Sequence, residues 1–144
     1  MQARWIVVAD AARARIFKAA GRDGHLEEVE DLVHPESRLH AGDLRTGGEG
    51  AQSESTGPSL RATGPEVETG DKHAVRFAKE VAQFLRDGRV HERYDELWLV
   101  AAPAFLGRLR DKLDNPTARC VARSIDKDWA HHERREIEAL LARQ

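Results

Sequence analysis

Asp10 stands where a β-rich run, Trp5-Ile-Val-Val-Ala9, gives out. A carboxylate at a strand end can help hold Mg²⁺, but Mg²⁺ prefers near-octahedral oxygen coordination and needs several converging ligands. The candidate partners are Asp95 or Glu96 ahead of a later strand, and Asp126 or Asp128 after another. Asp95 and Glu96 fall at the wrong strand end to meet Asp10. The favoured reading is therefore local: an Asp opening a tight turn hydrogen-bonds its own backbone. His131-His132-Glu133 has metal-ligating residue types without the His-Glu-x-x-His spacing that sets two imidazoles on one helix face. Adjacent helical residues diverge by about 100 degrees, so these read as first-turn surface residues. His34, His40 and His73 would cluster only if the segment between them folded back, and zinc needs three or four converging ligands. No metal and no cofactor is expected.

Nucleophilic chemistry has little support. No serine sits in a Gly-x-Ser-x-Gly elbow, and Cys120 falls in a short apolar stretch read as a strand. Gly47-Gly48-Glu49-Gly50 lacks the Gly-Lys-Ser/Thr that a phosphate loop carries from a strand into a helix. Cations are more informative. Arg38, Arg45 and Arg61 lie in a glycine-rich stretch, and Lys72, Arg76, Lys79 and Arg86 follow it. Lys72, Arg76 and Lys79 have i, i+4, i+7 spacing, which puts three cations on one helix face. Such a face can contact phosphates, where Lys and Arg gain affinity through counterion release. Charged helix faces are also ordinary solvated surface.

The elements that must position these residues follow from periodicity. Runs at 5–9 and 14–19 flank a turn at 10–13 and read as a hairpin. Gly21-Arg-Asp-Gly24 is a second turn signal. The stretch 25–33 spaces Leu26, Val29 and Leu32 three apart, which also suits a helix; its short length after a hairpin signal favours a strand, ended by Pro35. Asp71 is the expected N-cap of a helix to about Asp87, with Ala74, Phe77, Ala78, Val81 and Leu85 as its apolar stripe and Gly88 as its stop. The run 96–102 reads as a strand buried on both faces. Pro103 suits the first turn of a helix buried through Phe105, Leu106, Leu109 and Leu113, and Asn115-Pro116 breaks it. A short strand at 119–123 follows, then a last helix capped by Asp128 with Trp129, Ile137, Leu140 and Leu141 inward. Three antiparallel strands followed by two crossover units make a ribonuclease-H-like α/β fold. Its mixed five-stranded sheet has the order 3-2-1-4-5, with three main helices; the right-handed crossover rule admits this solution.

Between 36 and 70 the chain is polar, glycine-rich and without period. A structureless loop of roughly 35 residues is uncommon in a compact domain and is usually functional or disordered. The 144 residues otherwise fit one domain over 1–144 with a flexible loop at about 36–70. Net charge is −2 with 23 basic and 25 acidic residues, against a generally basic nucleic-acid binder but not against a local basic patch. One cysteine and no disulfide framework suit a reduced compartment. The apolar run near the N-terminus is too short and too interrupted for a signal peptide, and no segment reaches the roughly 20 apolar residues of a membrane span. A cytoplasmic protein is expected, with no membrane partner.

The stretches IVVADAARARIFKA, DKHAVRFAKEVAQFL, ELWLVAAPAFLGRLRDKL and DWAHHERREI, with the glycine-bearing loop, resemble the bacterial host attachment protein family over essentially the whole chain. That family is similar to the central domain of class-1 translation release factors and Pelota. The resemblance implies a ribonuclease-H-like fold, in which Asp10, Ala14 and Phe17 match the opening hairpin. In release factors the loop before the long helix carries Gly-Gly-Gln and helps hydrolyse peptidyl-tRNA. This chain has Gly47-Gly48-Glu49, with Gln52 three residues later, and departs at the Gln. The helix residues Arg76-Phe77-Ala78 resemble the helix that follows that loop. The loop's accessibility and local charge, with the resemblance behind them, point to a non-enzymatic binding module that engages RNA, tRNA or the ribosome through the loop and the basic helix, using Arg38, Arg45, Arg61, Lys72, Arg76 and Lys79. The alternatives are a peptidyl-tRNA hydrolase using Gly47, Gly48 and Gln52, and a protein-interaction role in attachment to host cells. A homo-oligomer would tighten binding by a single small module.

Overall fold

The computed structural model describes residues 3–20, 23–33 and 63–144, with side chains from 72 onward in the last stretch. Strands β1 (Arg4–Ala9), β2 (Arg13–Ala19) and β3 (Leu26–Val33) form an antiparallel meander. Helix α1 (Thr63–Val90), strand β4 (Glu96–Ala101), helices α2 (Pro103–Lys112) and α3 (Asn115–Arg119), strand β5 (Val121–Ile125) and helix α4 (Arg134–Ala142) follow. The sheet order is β3-β2-β1-β4-β5, with β4 parallel to both β1 and β5. This is the mixed five-stranded α/β arrangement expected from the order of elements.

Side chains alternate across a strand, and β1 divides its residues between two apolar clusters. Trp5, Val7 and Ala9 join Phe77, Ala78, Val81 and Leu85 of α1 and Phe105, Leu106 and Leu109 of α2. Ile6 and Val8 face the other way and join Phe17, Leu26, Val100, Ile125, Trp129 and Ile137 of α4. Two helices therefore cover one face of the sheet, while the nine-residue α4 covers the other. Among the described residues no helix is long and apolar enough to cross a membrane.

Several boundaries differ from the sequence expectation, each for a local reason. Helix α1 begins at Thr63, not at Asp71, so the stretch 63–70 is helical and only the earlier part of the expected loop lies outside the described residues. Pro65 is tolerated near a helix start, where the first amides have no intrahelical acceptor. At the other end α1 passes through Gly88 to Val90. Its stop is Glu92, in the left-handed region at φ 58°. The Arg93 N–H donates to the Gly88 carbonyl at 2.8 Å and the Glu92 N–H to the Arg89 carbonyl at 2.9 Å, the Schellman pattern.

Asn115-Pro116 opens the short helix α3, because Pro suits a first turn as well as it breaks an interior. Cys120 is the C-cap of α3 and precedes β5, so it is not in the strand. Asp128 does not cap the last helix. Trp129 and Ala130 are buried in non-helical chain, and α4 starts behind Glu133, whose N–H donates to Glu136 Oε1 at 3.1 Å. Strand β4 is enclosed only in part: Glu96 and Trp98 are half-buried on the face that α4 covers incompletely.

Candidate nucleic-acid interface

Helix α1 has a fully committed back. Phe77, Ala78, Val81 and Leu85 are buried against the sheet. The same 3.6-residue period turns Lys72, Arg76 and Lys79 outward, and all three are exposed. The row continues through Gln83 and Arg86, also exposed. Its far end is tied down. Asp114 accepts from Arg89 Nη2 at 3.3 Å and lies 3.9 Å from Arg86 Nε, while Arg89 Nε donates to the Thr117 hydroxyl at 3.0 Å. A rigid helix thus presents cations at fixed spacing. Rigid presentation is what phosphate contacts need, because the ordering entropy of the backbone is already spent in folding.

The other expected contacts, Arg38, Arg45 and Arg61, lie outside the described residues, as do Gly47, Gly48, Gln52, His34 and His40. His73 does not open α1; it stands ten residues inside it. Asp10 acts in its own turn. Its Oδ1 accepts from the N–H groups of Ala12 at 2.9 Å and Arg13 at 2.8 Å. Asp95 instead accepts the Ala3 N–H at 3.0 Å, at the opposite end of the sheet. His131 and His132 precede α4 and so do not diverge as helical neighbours would; their rings lie 4.8 Å apart. His132 Nδ1 is 3.4 Å from Glu136 Oε1. Partial burial pushes the Cys120 thiol up from its usual range, which lowers its thiolate content and suits no nucleophile.

Sequence reasoning missed a second grouping, on the opposite sheet face. Arg4, Glu96 and Trp98 meet there because β1 and β4 are in register, Arg4 beside Glu96 and Ile6 beside Trp98. The i, i+2 spacing of Glu96 and Trp98 was the available signal, masked by the apolar residues between and after them.

A family model described as "Protein required for attachment to host cells" matches residues 5–141. Among solved structures, the chain is similar to an archaeal translation termination factor, aRF1, at 13% identity and a TM-score of 0.49, covering 98% of this chain and 37% of that one. It is also similar to a structure titled only as an archaeal protein, at 11% identity and a TM-score of 0.45, covering 98% of this chain and 36% of that one. The chain thus spans little more than a third of either. No curated protein matches it. The family match runs through every element from β1 to α4, and the chain belongs to the family of proteins required for attachment to host cells.

Proposed function

We propose that this chain is a binding module, not an enzyme, and that the Lys72, Arg76 and Lys79 face of α1 engages RNA, as tRNA or within the ribosome. The observation that carries this reading is the row of three exposed cations on a helix whose opposite face is locked in the core. Lys and Arg on such a row neutralise successive phosphates and release counterions, which gives sequence-independent, salt-sensitive affinity. A net charge of −2 limits non-specific association elsewhere on the surface. Arg38, Arg45 and Arg61 would extend the same contact.

Ribosome co-sedimentation from lysate at low and moderate salt tests it. The intact chain is expected to pellet with ribosomes at low salt and to dissociate as salt rises. The double variant Lys72→Gln/Lys79→Gln is expected to stay in the supernatant with its circular dichroism unchanged. Retention that ignores both salt and the double variant would remove RNA binding through α1. The family description favours a second reading, a protein-interaction role in attachment to host cells. A protein partner recovered by crosslinking, from ribosome-free fractions and with undiminished yield from the double variant, would select that reading instead.

A further inference from the structure

The uncovered half of the second sheet face is a cleft of about 630 Å³, in the size range of small-molecule sites. Ile6, Leu26 and Leu141 give it apolar walls, and Arg4, Glu96 and Glu138 line it as well. Its polar groups are already paired into a near-neutral set. Glu96 Oε2 accepts from Arg4 Nε at 3.0 Å and from the Trp98 indole N–H at 2.9 Å. Glu138 Oε2 accepts from the Leu26 N–H at 2.7 Å and from Arg134 Nη1 at 2.6 Å. The Arg4 guanidinium carbon lies 4.4 Å from the Trp98 ring centre, so that cation is stacked in place.

These pairings select the ligand's charge. Each carboxylate already holds a guanidinium, so an anion or a cation entering the cleft finds its counter-charge engaged and a like charge beside it. A neutral ligand meets neither penalty. The bonds above fall on Oε2 of each glutamate and on Nε of Arg4. Among the described residues the second carboxylate oxygens remain as acceptors, and the Arg4 Nη groups as donors. Hydroxyl groups, which donate and accept at once, match such a mixed set. The walls suit the C–H faces of a ring. We infer that the cleft between β1, β4 and α4 binds a neutral saccharide unit, with Glu96 and Arg4 holding adjacent hydroxyls and Glu138 a third from the opposite wall. The site lies on the sheet face opposite α1 and does not depend on the RNA reading.

The test is a ¹H–¹⁵N NMR titration of the intact chain with glucose, galactose, N-acetylglucosamine, maltose, lactose and chitobiose, and with galacturonate as the anionic arm. At least one neutral sugar is expected to shift the Trp98 indole and Leu26 amide resonances saturably. Glu96→Gln is expected to weaken that binding about tenfold, since it removes a charge-assisted acceptor. Leu141→Trp, which fills the cleft from an already half-exposed position, is expected to abolish it while leaving ribosome co-sedimentation as it was. No saturable shift with any neutral sugar, tighter binding of galacturonate, or binding that survives Leu141→Trp would each overturn the assignment.

Discussion

Gly88 sits against Trp5, and the contact leaves no space for a methyl group. A Cβ built there would lie 2.7 Å from Trp5 Cζ3, 2.8 Å from Cη2 and 3.1 Å from Tyr94 Cε2. Trp5 cannot yield easily: it is 2% exposed, stacked on Phe84 at 5.7 Å and against Tyr94 at 4.8 Å. Alanine in a helix interior is worth up to about 1 kcal/mol over glycine, while overpacking a core costs about 1–3 kcal/mol. Gly88→Ala is therefore expected to destabilise, by about 1 kcal/mol net, as a lower urea midpoint. Glu92 presents the opposite case. It holds φ 58° at the helix stop, where a non-glycine residue is strained. Glu92→Gly is expected to raise the urea midpoint, by about 0.5–1 kcal/mol after the extra entropy glycine brings to the unfolded chain. Equal midpoints for the two variants would mean that neither the contact nor the strain matters. The helix stop was misread because Gly88 has the residue type of a terminator, yet it is glycine for packing. The residue that does terminate has a type that signals nothing.

At the scale of elements, α4 docks through polar contacts as well as apolar ones. A helix of nine residues is not stable alone. Ile137 anchors it in the second cluster, and Glu138 ties it to the start of β3 through the Leu26 N–H. The buried Arg15 on β2 donates to the carbonyls of Ala130 and His132 and so fixes the chain that leads into it. The Leu26 N–H, and after it Arg134, hold the Glu138 carboxyl below its ordinary value of 4.5. A carboxylate with a depressed folded value contributes stability above its unfolded pKa, and that contribution is lost as pH falls through the folded value. Acid below about pH 4.5 is therefore expected to loosen α4, seen as faster amide exchange from Leu26 and from 134–142. Glu138→Gln is expected to show that faster exchange already at pH 7 and little further change in acid. Identical pH profiles for variant and parent would place the acid sensitivity elsewhere. The strands and the α1 and α2 stripes were legible because their periods are strong and their apolar residues numerous. The α4 start was not, since Asp128 has the preferred cap type while Glu133 does not. The i, i+4, i+7 cations of α1 were legible within one stretch of chain. The cleft was not, because Arg4, Leu26, Glu96 and Glu138 come from four stretches that only the sheet register and one hydrogen bond bring together.

For the whole molecule, the decisive property is that one sheet serves two cores. Every other residue of β1 belongs to a different cluster, so β1 cannot leave one core and stay in the other. Leu85 on α1 and Ile137 on α4 are both fully buried, on opposite faces. Truncating a buried Leu or Ile to Ala costs about 2–5 kcal/mol. If the faces were independent, Ile137→Ala would release α4 alone and split the transition. Because β1, β2 and β4 carry the floor of both clusters, Leu85→Ala and Ile137→Ala are each expected to lower a single unfolding transition. Far-UV circular dichroism and tryptophan fluorescence should remain coincident in both variants, with Trp5 reporting from one core and Trp129 from the other. Separate midpoints for the two probes in Ile137→Ala would show that the second face folds as its own unit. Coincidence would mean that a ligand in the cleft and a polyanion on α1 both stabilise the same folding equilibrium, each by an amount set by its own concentration and affinity. A thermal-shift titration with both present should then return the sum of the two single shifts in free energy, and a departure from that sum would measure coupling between the faces.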